Sequence, residues 1–332
     1  MNISEFAKAA GVSKSAVSRY FNDGYLSEEK RRQIEQALEK TGYVPDLSAR
    51  SVKTRVTKLI GVIMPKLSSE SCARITEGIS EVLRAEGYQL LLVNTSNDER
   101  REIDSLELFR QNRVDGVILL ATVFTPLHRS VLSKMHVPVV IVGQQLDGYN
   151  CVCHDDKGAA YALTKLMLDK GREKPGFIGV KREDIAAGAA RWKGFEKAVT
   201  EAGLNVPKGF VETARFDMDS GYEKARHMLS GRVKPDCIFC ATDSIAIGVM
   251  MYCKEQSIRI PEDIMIASIG DNKIGRAAYV TLTTAHFHYK TAGIDAAEML
   301  LLQMKHRDNI AKHLQLDYEI IERGSTAEYE TV

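Results

Sequence analysis

From Leu59 onward the sequence alternates short, continuous apolar runs with amphipathic stretches, and that alternation leaves few folds open. LIGVIMP (59–65), YQLLLVNT (88–95), DGVILLA (115–121) and VPVVIVG (137–143) read as strands, with helical stretches such as 70–86 and 99–112 between them. Runs that are apolar on both faces predict a parallel sheet covered by helices on each side. The pattern restarts after Asp155-Asp156-Lys157-Gly158. Helices near 159–170, 190–202, 220–229 and 244–256 then alternate with strands at 176–180, 209–213, 237–241 and 264–270. Two similar α/β halves are expected in tandem.

The first 58 residues have a different texture. Ile3, Phe6, Ala7 and Ala10 recur at helical spacing behind Asn2, a good cap. Gly11-Val12 breaks the pattern, and Ser13 starts a second helix running to about Asn22, which makes a helix-turn-helix. On that second helix Val17, Tyr20 and Phe21 can pack inward, whereas Lys14 with Ser18 and Ser15 with Arg19 form i,i+4 pairs on the opposite, basic face. Such a face fits the major groove, where Lys and Arg read the O6/N7 acceptors of guanine. Lys14, Ser15 and Arg19 are the expected base readers, and Ser13 and Asn22 the expected phosphate contacts. The alternative is an ordinary helical hairpin with a solvated charged face. Ser27 should cap a third helix through about Thr41, with Ile34, Ala37 and Leu38 buried and Gly42 ending it.

At Ala7, Ala10, Gly11, Val12, Ser13, Val17, Ser18 and Arg19 the chain resembles the LacI/GalR (lactose-repressor) family of bacterial transcription regulators, with its A-x-x-A-G-V-S-x-x-x-V-S-R arrangement. Ala16 stands where that family usually has Thr, so one hydroxyl suited to a phosphate contact is missing. The GYLSEE turn and the stretch 282–290 resemble the sucrose- and disaccharide-responsive branch. The resemblance implies a headpiece at 1–44, a hinge helix and linker at 45–58, and a two-lobed, periplasmic-binding-protein-like body at 59–332. Lobe one would take about 59–157 plus 285–314, and lobe two about 158–284 plus 315–332. The hinge segment, with Pro45 in its first turn, is too short to be stable by itself. By resemblance it pairs with its dimer mate in the minor groove, Val52 wedging the base step and Arg50 and Lys53 holding phosphates or groove edges. A plain flexible basic linker is the other reading.

Charge agrees with a DNA-binding head on a separate body. Through Lys58 there are 11 Lys/Arg against 7 Asp/Glu, and the remaining residues carry 34 against 37. No apolar run approaches the ~20 residues that span a bilayer, and MNISEFAKAAG lacks the features of a secretory signal, so a cytoplasmic protein is expected. Of the six cysteines, Cys237-x-x-Cys240 suggests a metal site, but alternation along a buried strand sends the two thiols to opposite faces. Cys72, Cys151, Cys153 and Cys253 likewise read as reduced thiols, and His286-x-His288 as structural. No metal or cofactor site is expected.

Ligands of open parallel sheets bind outside the carboxyl ends of the strands. Ser69, Asp243 and Asp271 fall at or just beyond predicted strand ends, although Asp243 could equally cap the helix after it. The family resemblance adds Arg191 as the effector-binding arginine, with Phe195 and Phe287 as pocket side chains, although Phe195 could equally be core. The expectation is a homodimeric, sequence-specific DNA-binding repressor of carbohydrate-utilisation genes, gated by a sugar or sugar phosphate, on double-stranded operator DNA. Rivals are a sugar-binding protein with no DNA-reading role, a transport-type solute-binding protein, and an α/β enzyme. G-x-S-x-G, a phosphate-binding glycine loop and a zinc triad are all missing from the sequence.

Overall fold

The computed structural model describes residues 1–21, 24–43, 56–306 and 310–327. They form two compact units, Met1–Thr57 and Lys58–Val332.

In the first unit, α1 (Ile3–Ala9) opens with a capping box: the Asn2 side chain accepts from the amides of Ser4 and Glu5, and the Glu5 carboxylate accepts from the Asn2 amide. α2 (Lys14–Tyr20) is capped by Ser13, whose Oγ accepts from the Ala16 amide at 3.2 Å. α3 (Glu28–Thr41) ends at Gly42 in the left-handed conformation, φ 60°, a position that favours glycine. Ser27 occupies the N-cap of α3 but makes no side-chain capping bond, unlike the expectation. Phe6, Ala7, Ala10, Val17, Ile34 and Ala37 form the core, with Tyr20, Phe21 and Leu38 packed at its edge. Tyr43 closes it by stacking on Phe6, centroids 4.3 Å apart. Ile3 does not join: it is 40 % exposed, because α1 is only two turns long and Phe6 already fills the core-facing stripe.

The second unit holds two six-stranded sheets of the same winding. The first comprises β1 (Leu59–Met64), β2 (Gln89–Asn94), β3 (Gly116–Leu120), β4 (Val139–Val142), β5 (Asn150–His154) and β11 (His313–Leu316), in the spatial order β2-β1-β3-β4-β5-β11. The second comprises β6 (Pro175–Gly179), β7 (Val211–Thr213), β8 (Cys237–Cys240), β9 (Met265–Ile269), β10 (Thr283–Phe287) and β12 (Tyr318–Ile321), in the order β7-β6-β8-β9-β10-β12. The pairings are parallel except β10 with β12. Central strands β1, β3, β4, β6, β8 and β9 are buried almost throughout, which is why they read as continuous apolar runs. Cys237 and Cys240 do fall in different core clusters, as strand alternation requires, and all six cysteines are buried free thiols.

The chain passes between lobes after β5, after β10 and between β11 and β12. β10 belongs to the second sheet through Phe287, and β11 keeps the chain in the first sheet through Leu316. The passages therefore lie two or three residues beyond the expected 285 and 314, where the apolar pattern has no break to mark them. The helix Tyr289–His306 returns to pack on the helix Glu70–Ala85 of the first lobe. The doubly wound order places a switch point at the carboxyl ends of β1/β3 and of β6/β8, and there the cleft lies.

Candidate functional site

Two surfaces carry recognisable chemistry, one in each unit. On α2, Ala16 and Val17 are buried while Ser13, Lys14, Ser15, Ser18 and Arg19 are exposed on the opposite side. The Ser13 and Ser15 hydroxyls lie 2.9 Å apart, which joins them into one polar edge at the start of the helix. Ala16 is 4 % exposed, a core position rather than a surface one. Tyr20 bonds to Glu35 at 3.4 Å and lies under Arg31, so the helix is fastened to α3 from its back. Asn22, Arg50, Val52 and Lys53 lie outside the described residues.

The second surface is a cavity of about 370 Å³ at the carboxyl ends of both sheets, lined from Pro65, Ala121, Gly143 and His154 on one side and Thr242, Gly270 and Phe287 on the other. At its base lies an ion pair: Arg191 Nε donates to Asp156 Oδ1 at 2.7 Å, its Nη2 lies 2.7 Å from the same oxygen, and its Nη1 donates to the Ala241 carbonyl. Burial works against the charge on Arg191, and Asp156 beside it more than restores it. Arg191 reaches this place because a six-residue π-helical segment, Ile185–Ala190, precedes its helix. Gly188 makes the wide turn possible, since a Cβ there would meet the Lys181 carbonyl oxygen at 1.9 Å. Asp184 caps the segment, accepting from the Ala187 amide at 2.8 Å, and burial pushes its pKa up to about 6.

An aromatic wall stands over the ion pair. His154 stacks on Phe287 with centroids 4.5 Å apart and planes 5° apart, and Tyr289 meets both rings edge-on. Burial and the nearby Arg191 push the His154 pKa down to about 3, so the ring is neutral at pH 7. Its Nε2 and the Asn272 Oδ1 are buried polar atoms without a hydrogen-bond partner. Buried polar atoms left in that state are rare in native proteins and call for an explanation. Four polar bonds join the lobes around the cavity. Lys66 Nζ donates to the Phe216 carbonyl at 2.9 Å, the Lys273 amide to Glu70 at 3.0 Å, Gln144 to Asp184 at 3.3 Å and Arg74 to the Gly270 carbonyl at 3.4 Å.

Of the expected ligand contacts, Ser69, Arg191 and Phe287 line this cavity. The other three do not. Phe195 is fully buried against Phe177 and Trp192 in the core. Asp243 is fully buried behind the lining and accepts from Ser268 (2.5 Å), Thr284 (2.8 Å) and the Asn272 amide (2.6 Å), which leaves no oxygen aimed at a ligand. Asp271 is held by Arg276, by Arg323 at 2.6 Å and by His286 at 2.9 Å. Burial opposes its charge, and these donors outweigh burial and hold its pKa at about 2. Both aspartates fasten the loop that presents Asn272. Sequence reasoning missed His154, Asp156, Asp184, Asn272 and Tyr289. Position alone would have flagged His154, which closes β5, and Asp156, two residues beyond it, as Asp243 follows β8; nothing in the sequence singles out Asp184.

Residues 2–46 match the family model described as bacterial regulatory proteins, lacI family, and residues 164–326 match the periplasmic binding protein-like domain. The sucrose operon repressor of Staphylococcus xylosus is 32 % identical over 306 residues, covering 92 % of this chain and 94 % of that protein. The HTH-type transcriptional regulator RegA of Clostridium saccharobutylicum is 29 % identical, covering 98 % of this chain and 99 % of that protein. Among solved structures, a lac repressor dimer bound to operator and the anti-inducer ONPF superposes with a TM-score of 0.87 over 99 % of each chain at 19 % identity, a likeness of fold.

Proposed function

The chain belongs to the lacI family of bacterial regulatory proteins and is a DNA-binding transcriptional regulator, and we propose that it is a homodimeric repressor of carbohydrate-utilisation genes whose hold on its operator is set by a sugar in the cleft. The observation that carries this reading is the exposed Lys14, Ser15 and Arg19 edge on a capped helix whose other face is core. Lys14, Ser15 and Arg19 are the proposed base readers and Ser13 a phosphate contact. Asn22, Arg50, Val52 and Lys53 are proposed to extend the contact into the flanking backbone and minor groove. A two-fold pair of headpieces matches a pseudo-palindromic site, since one headpiece reads only a half-site.

The cleft is the proposed effector site, with Ser69, Arg191 and Phe287 joined by His154, Asp156, Asp184 and Asn272. A ligand in it changes operator affinity only by its difference in affinity for the two arrangements of the lobes. The protein works in the cytoplasm and turns nothing over in this reading. No described helix is long and apolar enough to cross a membrane.

The test is selection from a random duplex pool with the full-length protein at moderate salt. A pseudo-palindromic site is expected, and its affinity should change when the cognate sugar is added. Failure to enrich any sequence, with sugars present or absent, would remove the headpiece assignment.

A further inference from the structure

We propose that the effector is an uncharged, unphosphorylated sugar, and that the cleft discriminates against phosphate esters. This rests on the cleft being the effector site. The cations at the cavity are already committed. Arg191 has its guanidinium spread over Asp156 and the Ala241 carbonyl, and Lys66 donates to the Phe216 carbonyl. Arg74, behind Tyr289, donates to the Gly270 carbonyl and lies 5.4 Å from the Tyr289 ring centre. Against the two lining cations stand three lining carboxylates, Glu70, Asp156 and Asp184. A phosphate dianion entering here meets net negative charge and finds no guanidinium fork open to it.

Helix N-termini are the other means by which a protein holds phosphate, and several open on this cavity. The chain fills them with its own oxygens. Ser69 accepts from the Cys72 amide, Thr242 from Ile245, Asp184 from Ala187 and Asp155 from Gly158. Glu70, Asp156 and Asp243 add carboxylates in the first turns of their helices. The positive ends are therefore neutralised before a ligand arrives.

What the cavity offers instead suits hydroxyl groups. Asn272 Oδ1 is an unpartnered buried acceptor and requires a donor, which a sugar hydroxyl supplies and a dianionic phosphate lacks. His154 presents a neutral ring nitrogen with no partner, and Asp184 contributes a buried carboxyl to the same lining. The stacked His154–Phe287 pair gives an apolar face for the C–H side of a sugar ring.

The experiment is calorimetric titration of the full chain at pH 7.5 with glucose, fructose, ribose, sucrose and cellobiose, and with glucose 6-phosphate, fructose 6-phosphate, ribose 5-phosphate and sucrose 6-phosphate. At least one free sugar should bind, with its ester at least tenfold weaker. Asp184→Asn, which removes one lining charge, should narrow that gap several-fold. Asn272→Ala should weaken the free sugar about tenfold, with melting curves confirming that both variants fold. An ester that binds as tightly as its parent sugar, or more tightly, overturns the inference and leaves the effector site standing. Binding of neither class overturns the effector reading, and the inference falls with it.

Discussion

The headpiece and the cleft solve recognition in opposite ways. On α2 the recognising side chains are exposed and their helix rests on a core of five small and medium residues plus the Phe6–Tyr43 stack. In the cleft Arg191, Asp156, His154 and Asp184 are themselves buried, each set in place by partners from elsewhere in the body. A reader of a long polymer needs side chains that can settle into a groove, whereas a pocket for a small ligand needs groups that stay where they are. The difference predicts where a single change is felt as lost folding and where as lost binding.

The largest effect falls on the headpiece core. Phe6 is fully buried and stacks on Tyr43, so Phe6→Ala should cost about 3–5 kcal/mol, a large share of what so small a unit possesses. Operator binding should vanish while sugar titration of the cleft stays unchanged. A loss of both in the same variant would mean that the two regions do not fold independently. The counterpart in the body is Arg191→Ala, which leaves Asp156 buried and unpaired at a cost of about 3–5 kcal/mol. The melting temperature of the body should fall and sugar binding should disappear. Arg191→Ala together with Asp156→Ala should recover part of the stability but none of the binding, which separates the ion pair's structural part from its recognition part.

Changing an exposed reader should leave folding alone. Arg19→Ala is expected to weaken the selected operator by about 1–3 kcal/mol and to relax sequence preference at one position of each half-site. Lys14→Ala should behave in the same way at a different position, and a uniform loss across all sequences would instead mark a phosphate contact. Neither variant should shift the melting curve, because these side chains are exposed on α2.

The same contrast explains what the sequence disclosed. The α2 face was legible because exposed and buried positions alternate with the helical period within one short segment, and the two sheets were legible because buried strands must be apolar on both faces. The cleft was legible only in part. Arg191 and Asp156 are 35 residues apart, and His154 and Phe287 farther still, so no local pattern announces their meeting. Asp243 and Asp271 showed the position of a ligand contact but not their occupancy: Ser268 and Thr284, on two neighbouring strands, saturate Asp243, and Arg276 from the following short helix and Arg323 from beyond β12 saturate Asp271. Asp184 depends on a π-helical segment, an irregularity that periodicity does not reveal.

Asp184 also gives the body a pH dependence. Its pKa in the folded chain is about 6, above the ordinary 3.8, so between those values the folded chain holds a proton that the unfolded chain has lost. Its contribution to stability is full below about pH 4 and is lost as pH rises through 6, a change of roughly 1 kcal/mol between pH 5 and 7. Denaturant titrations at the two pH values should show that difference, and Asp184→Asn should remove it. A difference that survives the substitution would belong to another group.

The smallest predicted effect is at Ser13, where the two modes of recognition meet in one side chain. Its Oγ already accepts from the Ala16 amide, and when Ser15 is the donor of the 2.9 Å hydroxyl pair the Ser13 hydrogen remains able to donate to a phosphate. Ser13→Ala should cost the headpiece about 0.5 kcal/mol, the low end for a lost cap, because the capping bond is long at 3.2 Å. Ser13→Asp keeps a capping acceptor and favours the helix N-terminus, so the headpiece should melt no lower than with Ser13. The added negative charge should nevertheless weaken operator binding most at low salt. Equal operator affinity for Ser13→Asp and the parent would make Ser13 a cap alone, with the phosphate held elsewhere on the headpiece.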